Sequence, residues 1–491
     1  MITYRISDLA RVVGGKLYPQ NDAQITHLVI DSRKIFSPGE TVFFALVGER
    51  HDGHHYLPDL WKKGVRNFVV SRLPEKMDQY RDCNFVKVAN TLGALQQFAA
   101  HHRNHFTFPV IGITGSNGKT IVKEWIHHVL DEQYNVIRSP KSYNSQVGVP
   151  LSVWNMTGEH ELGVFEAGIS KPYEMQRLEN IIQPDIGLFT NIGEAHQENF
   201  SSLRQKVGEK LNLFEESQAL IYCKDHELIH KQVVYDDVLK DKQLITSSME
   251  GEADLIIEDL EYSGHTTTIH GTYKDEALQV TIPFTDKGSV ENAIHVWLLM
   301  LYMEVDREHI RLKMKDLPAI AMRLEMKKGI NNCTLINDSY NSDLGSLNIA
   351  LNVLNQQNQH DRKTLILSDI LQSGRDDREL YGEVADMIQR NRVDRLIGIG
   401  EALSENRENF DLPGYFYSST EQFLSALSAM QFRNEAILIK GSRDFHFEKI
   451  SHALEEKMHQ TVLEIDLDAL VHNLNHFRSL LQPETRLMVM V

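Results

Sequence analysis

Cysteine is scarce in this chain of 491 residues: there are three, Cys83, Cys223 and Cys333, far apart and with no CxxC pair. This scarcity argues against a disulfide scaffold and a zinc finger, and it fits a reducing cytosol. No apolar run approaches the ~20 residues that span a bilayer, and the N-terminus lacks the positive-then-apolar layout of an export signal. We therefore expect a cytoplasmic protein without membrane insertion.

Positive charge is also in short supply, with 51 Lys and Arg against 68 Asp and Glu and a formal net charge of −17. An acidic balance disfavours general binding to nucleic acid or to anionic lipid. Any phosphate-bearing ligand must therefore meet a locally basic site. Hydrophobic residues make up 42% and charged residues 24% of the chain, which is typical of a globular protein and argues against intrinsic disorder.

Short apolar runs of strand type alternate with stretches of helical spacing along most of the chain. This alternation predicts parallel βαβ units. Because domains contain roughly 150 residues, we expect three α/β domains with boundaries near residues 107 and 318. The polar segment 101–107 (HHRNHFT) is interpreted as the first linker. The predicted strands are Thr41–Val47, Phe108–Thr114, Leu162–Ala167, Ile186–Thr190, Ala219–Tyr222, Thr334–Asn337, Thr364–Leu367, Arg395–Ile399 and Ala436–Ile439.

A glycine-rich segment, Gly112–Thr120 (GITGSNGKT), follows an apolar strand and opens a helix. Its glycines would let the backbone wrap a phosphate at a helix N-terminus. Lys119 would reach the β- and γ-phosphates, and the Thr120 hydroxyl would bind Mg²⁺. Ile113 departs from the strict pattern GxxxxGK[ST], which has glycine there. The loop alone is compatible with a kinase, a transporter ATPase, a GTPase or a ligase. Its other predicted ATP-binding residues are Gly115, Ser116, Asn117 and Gly118.

Charged side chains follow the next strands at the ends where a parallel sheet carries its ligand. Glu166 ends one strand and is a candidate Mg²⁺ ligand, because Mg²⁺ prefers oxygen donors. His196 follows the next strand, although a lone histidine is more often not a ligand. Lys210 lies in a helix fourteen residues later. On spacing alone it is an ordinary surface lysine, and Lys206 would serve equally well.

These motifs resemble a known family. TGSNGKT, EAG, TNIGEAH and EKLNLF occur in the order found in the Mur ligases, the ATP-dependent amide-forming enzymes of peptidoglycan synthesis. The segment DSRKIFSPGETVFFALVGE resembles their uridine-nucleotide domain. NSQVGVP, NDSYNSDLG and KGSR resemble the branch that adds D-alanyl-D-alanine to UDP-N-acetylmuramoyl-tripeptide. The likeness runs from residue 1 to about residue 458.

The resemblance implies an α/β architecture of three domains. A UDP-substrate-binding domain would span residues 1–107, and a central P-loop ATPase-like domain with a parallel sheet would span residues 108–317. A Rossmann-like ligase domain would span residues 318–458. The substrates implied are ATP, D-alanyl-D-alanine and the UDP-linked tripeptide.

The resemblance also assigns roles to residues. Thr120 and Glu166 would hold one Mg²⁺ ion and His196 a second. Lys210 would be carbamylated, with the carbamate oxygens helping to hold that second ion. Lys119, Glu166, His196 and Lys210 thus form the expected catalytic set. Further expected ATP contacts are Asn292, Arg323, Asp338 and Tyr340. The expected contacts of the UDP-linked substrate are Asp31, Ser32, Arg33 and Asn144.

In this family a carboxylate is phosphorylated by ATP, and an amine displaces phosphate from the resulting acyl phosphate. Two like unit charges 4 Å apart repel by roughly 4 kcal/mol at an effective dielectric of 20, which explains why Lys119 and two Mg²⁺ ions would be needed. Alternatives are another Mur-type ligase, a folylpolyglutamate-type ligase and a non-catalytic P-loop scaffold. The DSRK and SYNSDLG segments argue against the other ligases. The joint presence of Glu166, His196 and Lys210 argues against the scaffold.

The last thirty residues resemble a different family. Residues 462–491 (VLEIDLDALVHNLNHFRSLLQPETRLMVMV) are similar to the opening of alanine racemase, a barrel enzyme that uses pyridoxal phosphate. In that family the cofactor lysine follows directly after the MVMV-type strand. We therefore expect residues 459–491 to be the truncated start of a racemase-like domain in a ligase–racemase fusion. Racemase activity is not expected of this chain, because pyridoxal phosphate would belong to the missing part.

Overall fold

The computed structural model describes residues 2–18, 22–35, 37–48, 51–193, 197–320, 325–339, 342–355, 357, 359–360, 362–371, 373–456, 467–482 and 485. These residues form three large β-sheets, a two-stranded ribbon and the helices that cover them. The chain therefore has the predicted α/β architecture of three domains, one on each large sheet.

The strands are β1 (Tyr4–Arg5), β2 (Lys16–Tyr18), β3 (Gln24–Ile25), β4 (His27–Val29), β5 (Thr41–Phe44), β6 (Asn67–Val70), β7 (Asn84–Lys87), β8 (Val110–Thr114), β9 (Val136–Arg138), β10 (Leu162–Glu166), β11 (Ile186–Phe189), β12 (Ala219–Cys223), β13 (Gln243–Ser248), β14 (Leu255–Ser263), β15 (Thr266–Tyr273), β16 (Glu276–Ile282), β17 (Glu325–Gly329), β18 (Cys333–Asp338), β19 (Arg362–Ser368), β20 (Arg395–Ile399), β21 (Gly414–Tyr417) and β22 (Glu435–Lys440).

The α-helices are α1 (Ile6–Val12), α2 (Leu57–Lys62), α3 (Thr91–Arg103), α4 (Lys119–Leu130), α5 (Gly148–Val153), α6 (Met175–Ile182), α7 (Leu203–Leu211), α8 (Glu227–Tyr235), α9 (Lys287–Tyr302), α10 (Arg307–Lys315), α11 (Leu344–Asn355), α12 (Asp377–Arg390), α13 (Glu401–Glu405), α14 (Thr420–Ala426), α15 (Glu448–Leu454) and α16 (Leu467–Ser479).

The first sheet has the order β2-β7-β6-β5-β4, in which β4 to β7 run parallel and β2 pairs antiparallel with β7. Every residue of β5 and β6 is buried, as expected for strands covered on both faces. The carboxyl ends of β4, β5 and β6 lie at one edge of this sheet. That edge carries residues 31–33, which follow β4.

The second sheet places β8 at its centre, between β10 and β11, in the order β16-β15-β14-β13-β12-β11-β8-β10-β9. Helices α4 and α9 pack on one face through Trp125 and Trp297, both buried. Among the described strands, β8 to β14 run parallel, whereas β15 pairs antiparallel with both β14 and β16. The central sheet is therefore parallel, as predicted, from β8 to β14, and it is antiparallel at this edge. Residues of β15 alternate between buried and partly exposed, so it lacks the continuous apolar run of its parallel neighbours.

The expected linker at residues 101–107 is also wrong in part, because residues 101–103 form the last turn of α3. His102 and Arg103 are buried. The Tyr4 hydroxyl is 2.9 Å from His102 Nδ1, and Arg103 donates to the carbonyl of Ile182 at 2.9 Å. These polar side chains are satisfied inside the protein, where they join the first domain to the second.

The third sheet has the order β17-β18-β22-β19-β20-β21, with β17 antiparallel and the other described strands parallel. Helix α16 lies in the segment that resembles the opening of alanine racemase, and residues 486–491, which include the MVMV stretch, lie outside the described residues. Within the described part of the chain, none of the helices combines the length and the apolar character required to cross a bilayer.

A buried ion pair in the third sheet provides a test of stability. Arg395 Nη2 lies 2.9 and 2.7 Å from the Glu435 carboxylate oxygens. Arg395→Met leaves this carboxylate buried without its cation, which costs about 3–5 kcal/mol. We expect the free energy of unfolding of the third domain, measured by urea denaturation, to fall by that amount. Arg390→Met breaks an exposed pair with Asp386 and should cost less than about 1 kcal/mol; equal losses would contradict the prediction.

Candidate active site

The glycine-rich loop at residues 115–118 connects β8 to α4 and fits tightly against its surroundings. Gly115 has φ of 143° and Gly118 has φ of 82°, values that residues with a side chain rarely adopt. A Cβ at Gly115 would lie 2.0 Å from Thr190 Oγ1, and one at Gly118 would lie 2.1 Å from Asn292 Oδ1. Both glycines are therefore required by conformation and by space.

The end of β11 holds this loop in place. Ser116 N donates to the Asn191 carbonyl at 2.8 Å, and Asn117 N donates to Asn191 Oδ1 at 3.0 Å. The Thr190 hydroxyl donates to the Asn117 carbonyl at 2.6 Å. The Thr190 carbonyl in turn is 2.9 Å from Nε2 of His295 on α9. The loop is thus shaped by side chains of β11 and α9.

Two lysines of the predicted catalytic set meet at one carbonyl. Lys119 Nζ donates to the carbonyls of Gly115 (2.8 Å) and Ser116 (2.9 Å), and Lys210 Nζ donates to the same Gly115 carbonyl at 3.0 Å. Lys210 is buried, contrary to its interpretation as an ordinary surface lysine. Lys206, considered equally suitable, is buried too and donates to the Gly193 carbonyl.

The burial of Lys210 changes its chemistry. Its pKa lies well below the usual value, first because burial disfavours the ammonium form and then because Lys119 and Lys206 are positively charged neighbours. At a given pH, a larger fraction of Lys210 is therefore present as the neutral amine than of a solvated lysine. A neutral amine is a nucleophile, and an ammonium group is not.

A carboxylate and a hydroxyl form the oxygen donor set beside the loop. Thr120 Oγ1 lies 3.0 Å from Glu166 Oε2 and 3.3 Å from Oε1, and it lies 3.1 Å from Ser142 Oγ. Asn144 Nδ2 donates to Glu166 Oε2 at 3.3 Å. Hard oxygen donors of this kind fit Mg²⁺. Glu166 is completely buried, so its charge needs a counterion or hydrogen-bond partners.

Some predicted site residues lie elsewhere or cannot be placed. Asn144, expected to contact the UDP-linked substrate, lies against Glu166, beside the oxygen donors. His196, Arg323 and Tyr340 lie outside the described residues. Within the part of the chain that the structure describes, no group of three or more His, Cys, Asp and Glu side chains is arranged to hold a metal ion.

Four nucleotide contacts are expected outside the glycine-rich loop, and the structure describes two of them, Asn292 and Asp338. Asn292 lies on α9 with its amide against Gly118. Asp338 ends β18 in the third domain, where Lys440 Nζ is 2.8 Å from its Oδ2. One turn after Asn292, His295 is buried, and burial lowers its pKa to about 4. His295 is therefore neutral at physiological pH and serves as a fixed hydrogen-bonding group.

The predicted uridine-nucleotide residues lie at the carboxyl edge of the first sheet. Arg33 donates to the Asp31 carboxylate from N (3.0 Å), Nε (2.9 Å) and Nη2 (2.8 Å). These hydrogen bonds lower the pKa of Asp31. The Ser32 carbonyl accepts from Lys63 Nζ at 2.9 Å. The edge thus carries an ion-paired, exposed guanidinium group and the ammonium group of Lys63.

The third domain touches the second beside the turn at residues 197–199. Gly374 has φ of 69°, and a Cβ there would lie 2.7 Å from Glu198 Cα and 2.9 Å from its N. A second contact joins Trp125 Nε1 on α4 to the Pro318 carbonyl at 2.9 Å. Both contacts lie close to elements that carry site residues.

Sequence reasoning missed four residues that shape the site: Lys123, Ser142, Asn191 and His295. Lys123 carried a detectable signal, because it falls four residues after Lys119 and therefore on the same helix face. Asn191 directly follows a predicted strand, within the TNIGEAH motif. Ser142 and His295 had no distinguishing pattern.

The amino-acid sequence of this chain is similar to those of known proteins. Residues 113–300 match the Mur ligase middle domain, and residues 322–443 match the model described as Mur ligase, glutamate ligase domain. A UDP-N-acetylmuramoyl-tripeptide--D-alanyl-D-alanine ligase of Bacillus subtilis is 30% identical over 468 residues, covering 93% of this chain and 99% of that protein. The chain belongs to the Mur ligase family.

Solved structures agree with this membership. MurF from Acinetobacter baumannii has a TM-score of 0.80 at 23% identity, covering 93% of this chain and all of that one. MurF ligase from Thermotoga maritima in complex with ADP has a TM-score of 0.72 at 21% identity, covering 87% and 96%. At these identities the likeness shows the fold. The predicted family and the enzyme class, an ATP-dependent ligase that forms amide bonds, are confirmed.

The fit around Gly118 predicts a binding defect. Gly118→Ala places a methyl group against Asn292 and strains a left-handed backbone by about 1–2 kcal/mol, so the loop must change shape. We expect ADP affinity, measured by isothermal titration calorimetry, to fall by about tenfold, the equivalent of ~1.4 kcal/mol. Gly158→Ala is the control, because no atom lies within 4 Å of a Cβ there. A variant at Gly118 that binds ADP normally would contradict the prediction.

Proposed function

We propose that the protein joins D-alanyl-D-alanine to UDP-N-acetylmuramoyl-tripeptide at the expense of ATP. The main support for this proposal is the group of side chains that meets at the glycine-rich loop, namely Lys119, Lys210, Thr120 and Glu166. The proposed substrates are those after which the relatives of this chain are named. The Arg33 guanidinium and the Lys63 ammonium group beside Ser32 support binding of the uridine diphosphate end of the substrate. Asp338 and Lys440 support a contribution of the third domain to the nucleotide site.

The reaction proceeds in two displacements. An oxygen of the tripeptide carboxylate attacks the γ-phosphorus of ATP, the bond to the ADP oxygen breaks, and an acyl phosphate forms. The dipeptide amine then attacks the acyl carbon, the bond to phosphate oxygen breaks, and the amine loses its proton to an acceptor. Lys119 would leave the loop carbonyls to bind the transferring phosphate. A Mg²⁺ ion held by Thr120 and Glu166 would neutralise phosphate charge.

We propose further that Lys210 is carbamylated. Its neutral amine attacks the carbon of CO₂, an N–C bond forms and one proton is released, giving a carbamate anion. The lowered pKa supports this step, because only the unprotonated amine reacts. A carbamate supplies two oxygen atoms where an ammonium group supplies none. Together with His196, it would hold a second Mg²⁺ ion.

Carbamylation predicts a spectroscopic signal. In ¹³C-bicarbonate at pH 8, the wild-type protein should show a carbamate carbonyl resonance that Lys210→Ala lacks. Lys206→Arg, which keeps the neighbouring charge, should retain it. Lys210→Ala should be nearly inactive and should regain activity with added short-chain carboxylic acids. An unchanged resonance in Lys210→Ala would refute the assignment to this lysine.

The ligase reaction predicts a dependence on Lys119. Phosphate release should require ATP, the UDP-linked tripeptide and D-alanyl-D-alanine together, and L-amino acids or glutamate should not replace the dipeptide. Because one electrostatic donor contributes about 10²–10³-fold to kcat, Lys119→Ala should lose at least ~100-fold. Its affinity for the UDP-linked tripeptide should persist, because that substrate is anchored on the first domain. Lys171→Ala, an exposed lysine, is the control, and unchanged turnover in Lys119→Ala would contradict the proposal.

The racemase-like unit expected at residues 459–491 also remains a proposal. Its support is the likeness of residues 462–491 to the opening of alanine racemase. The structure describes part of that segment, in which α16 spans Leu467–Ser479.

A further inference from the structure

Lys123 is a buried ammonium group to which the proposed reaction assigns no task. It lies on α4 one turn after Lys119, and its side chain is 0% exposed. Nζ donates to the Ser139 carbonyl at 2.7 Å and to the Lys141 carbonyl. It also lies 3.3 Å from Glu166 Oε1 and 3.0 Å from Glu124 Oε1. Because an ammonium group has three hydrogens, these acceptors occupy all of its donors.

The two oxygens of Glu166 share the Thr120 hydroxyl, which lies nearer to Oε2, and differ in their other partners. Oε1 faces the ammonium group of Lys123. Oε2 faces the Thr120 hydroxyl at 3.0 Å and the Asn144 amide at 3.3 Å. An ion pair on one oxygen restrains rotation of the carboxylate. Lys123 therefore keeps Oε2 beside the hydroxyl that is expected to bind the same cation.

Lys123 also restrains the loop at residues 139–144. Two carbonyls of this loop, those of Ser139 and Lys141, accept from Nζ. The same loop supplies Ser142 to the Thr120 hydroxyl and Asn144 to Glu166. One buried cation thus connects α4, the end of β10 and the loop that surrounds the oxygen donors.

We propose that Lys123 is a positioning residue for the divalent-cation site. It acts by holding Glu166 and the loop at residues 139–144 in the geometry that presents Thr120 Oγ1 and Glu166 Oε2 together. The proposal rests on the proposed function in one respect, namely that the cation binds here with the nucleotide. A purely structural role would consist only in neutralising the carboxylates around Lys123, and the pair with the half-buried Glu124 would then matter as much as the pair with Glu166.

The test uses Mn²⁺ as the probe, titrated into protein saturated with ADP, with free Mn²⁺ followed by electron paramagnetic resonance. Lys123→Met alone removes the cation of the buried Glu166 and lowers the local net charge by one, while Glu124 keeps Arg138 as its partner; it therefore risks misfolding. The informative variant is therefore K123M/E124Q, with E124Q alone as its matched control. Loss of a residue that orients a metal ligand weakens metal affinity by about 10–100-fold. We expect a loss of at least ~10-fold for K123M/E124Q and a change of less than about twofold for E124Q.

Two further measurements separate positioning from stability. The apparent KM for Mg²⁺ should rise in K123M/E124Q by the same factor as the Mn²⁺ dissociation constant, while the KM for the UDP-linked tripeptide stays within about twofold. Thermal unfolding should show both variants folded. Wild-type Mn²⁺ affinity in K123M/E124Q, or an equal loss in E124Q, would overturn the proposal for Lys123 alone. Failure of the wild-type protein to bind Mn²⁺ with ADP would overturn the nucleotide site as well.

Discussion

The buried carboxylate of Glu166 is the constraint on which the site depends. A charged group without solvent is costly unless it is paired and hydrogen-bonded, so the chain must bring partners to the end of β10. Thr120 and Lys123 arrive from α4, and Asn144 arrives from a separate loop. Satisfying one carboxylate therefore brings three segments together, and the oxygen donors expected to bind a cation are brought together by the same contacts.

The charge around the glycine-rich loop differs from that of the chain as a whole. The chain as a whole has a net charge of −17, yet three lysines lie close to the loop and two of them donate to the Gly115 carbonyl. Their proximity makes the site locally basic, as a polyphosphate requires. The pKa of Lys210 is lowered first by burial and then by the neighbouring charges of Lys119 and Lys206. The positive charges that attract an anion thus add to burial in favouring the neutral amine of Lys210.

The sequence predicted the elements whose pattern is local. The strand before Gly115 and the helix after Gly118 follow from an apolar run, glycines and helical spacing, and the structure has both. The burial of Lys210 had no such pattern, since spacing identifies a helix face and not what covers it. The strands β15 and β16, which pair antiparallel, lack the continuous apolar run of parallel strands. The polar residues at the end of α3 were predicted to form a linker, because a local pattern does not reveal partners that lie far along the chain. One such partner is Met156, whose carbonyl contacts His102.

At Gly374, the backbones of the second and third domains are in close contact. The backbone of Glu198 approaches so closely that a single methyl group would not fit, and the positive φ already disfavours other residues. Any bulkier residue would act as a wedge and hold the two domains apart. Catalysis would then be lost by a substitution that removes no polar group and leaves the sequence of the glycine-rich loop unchanged.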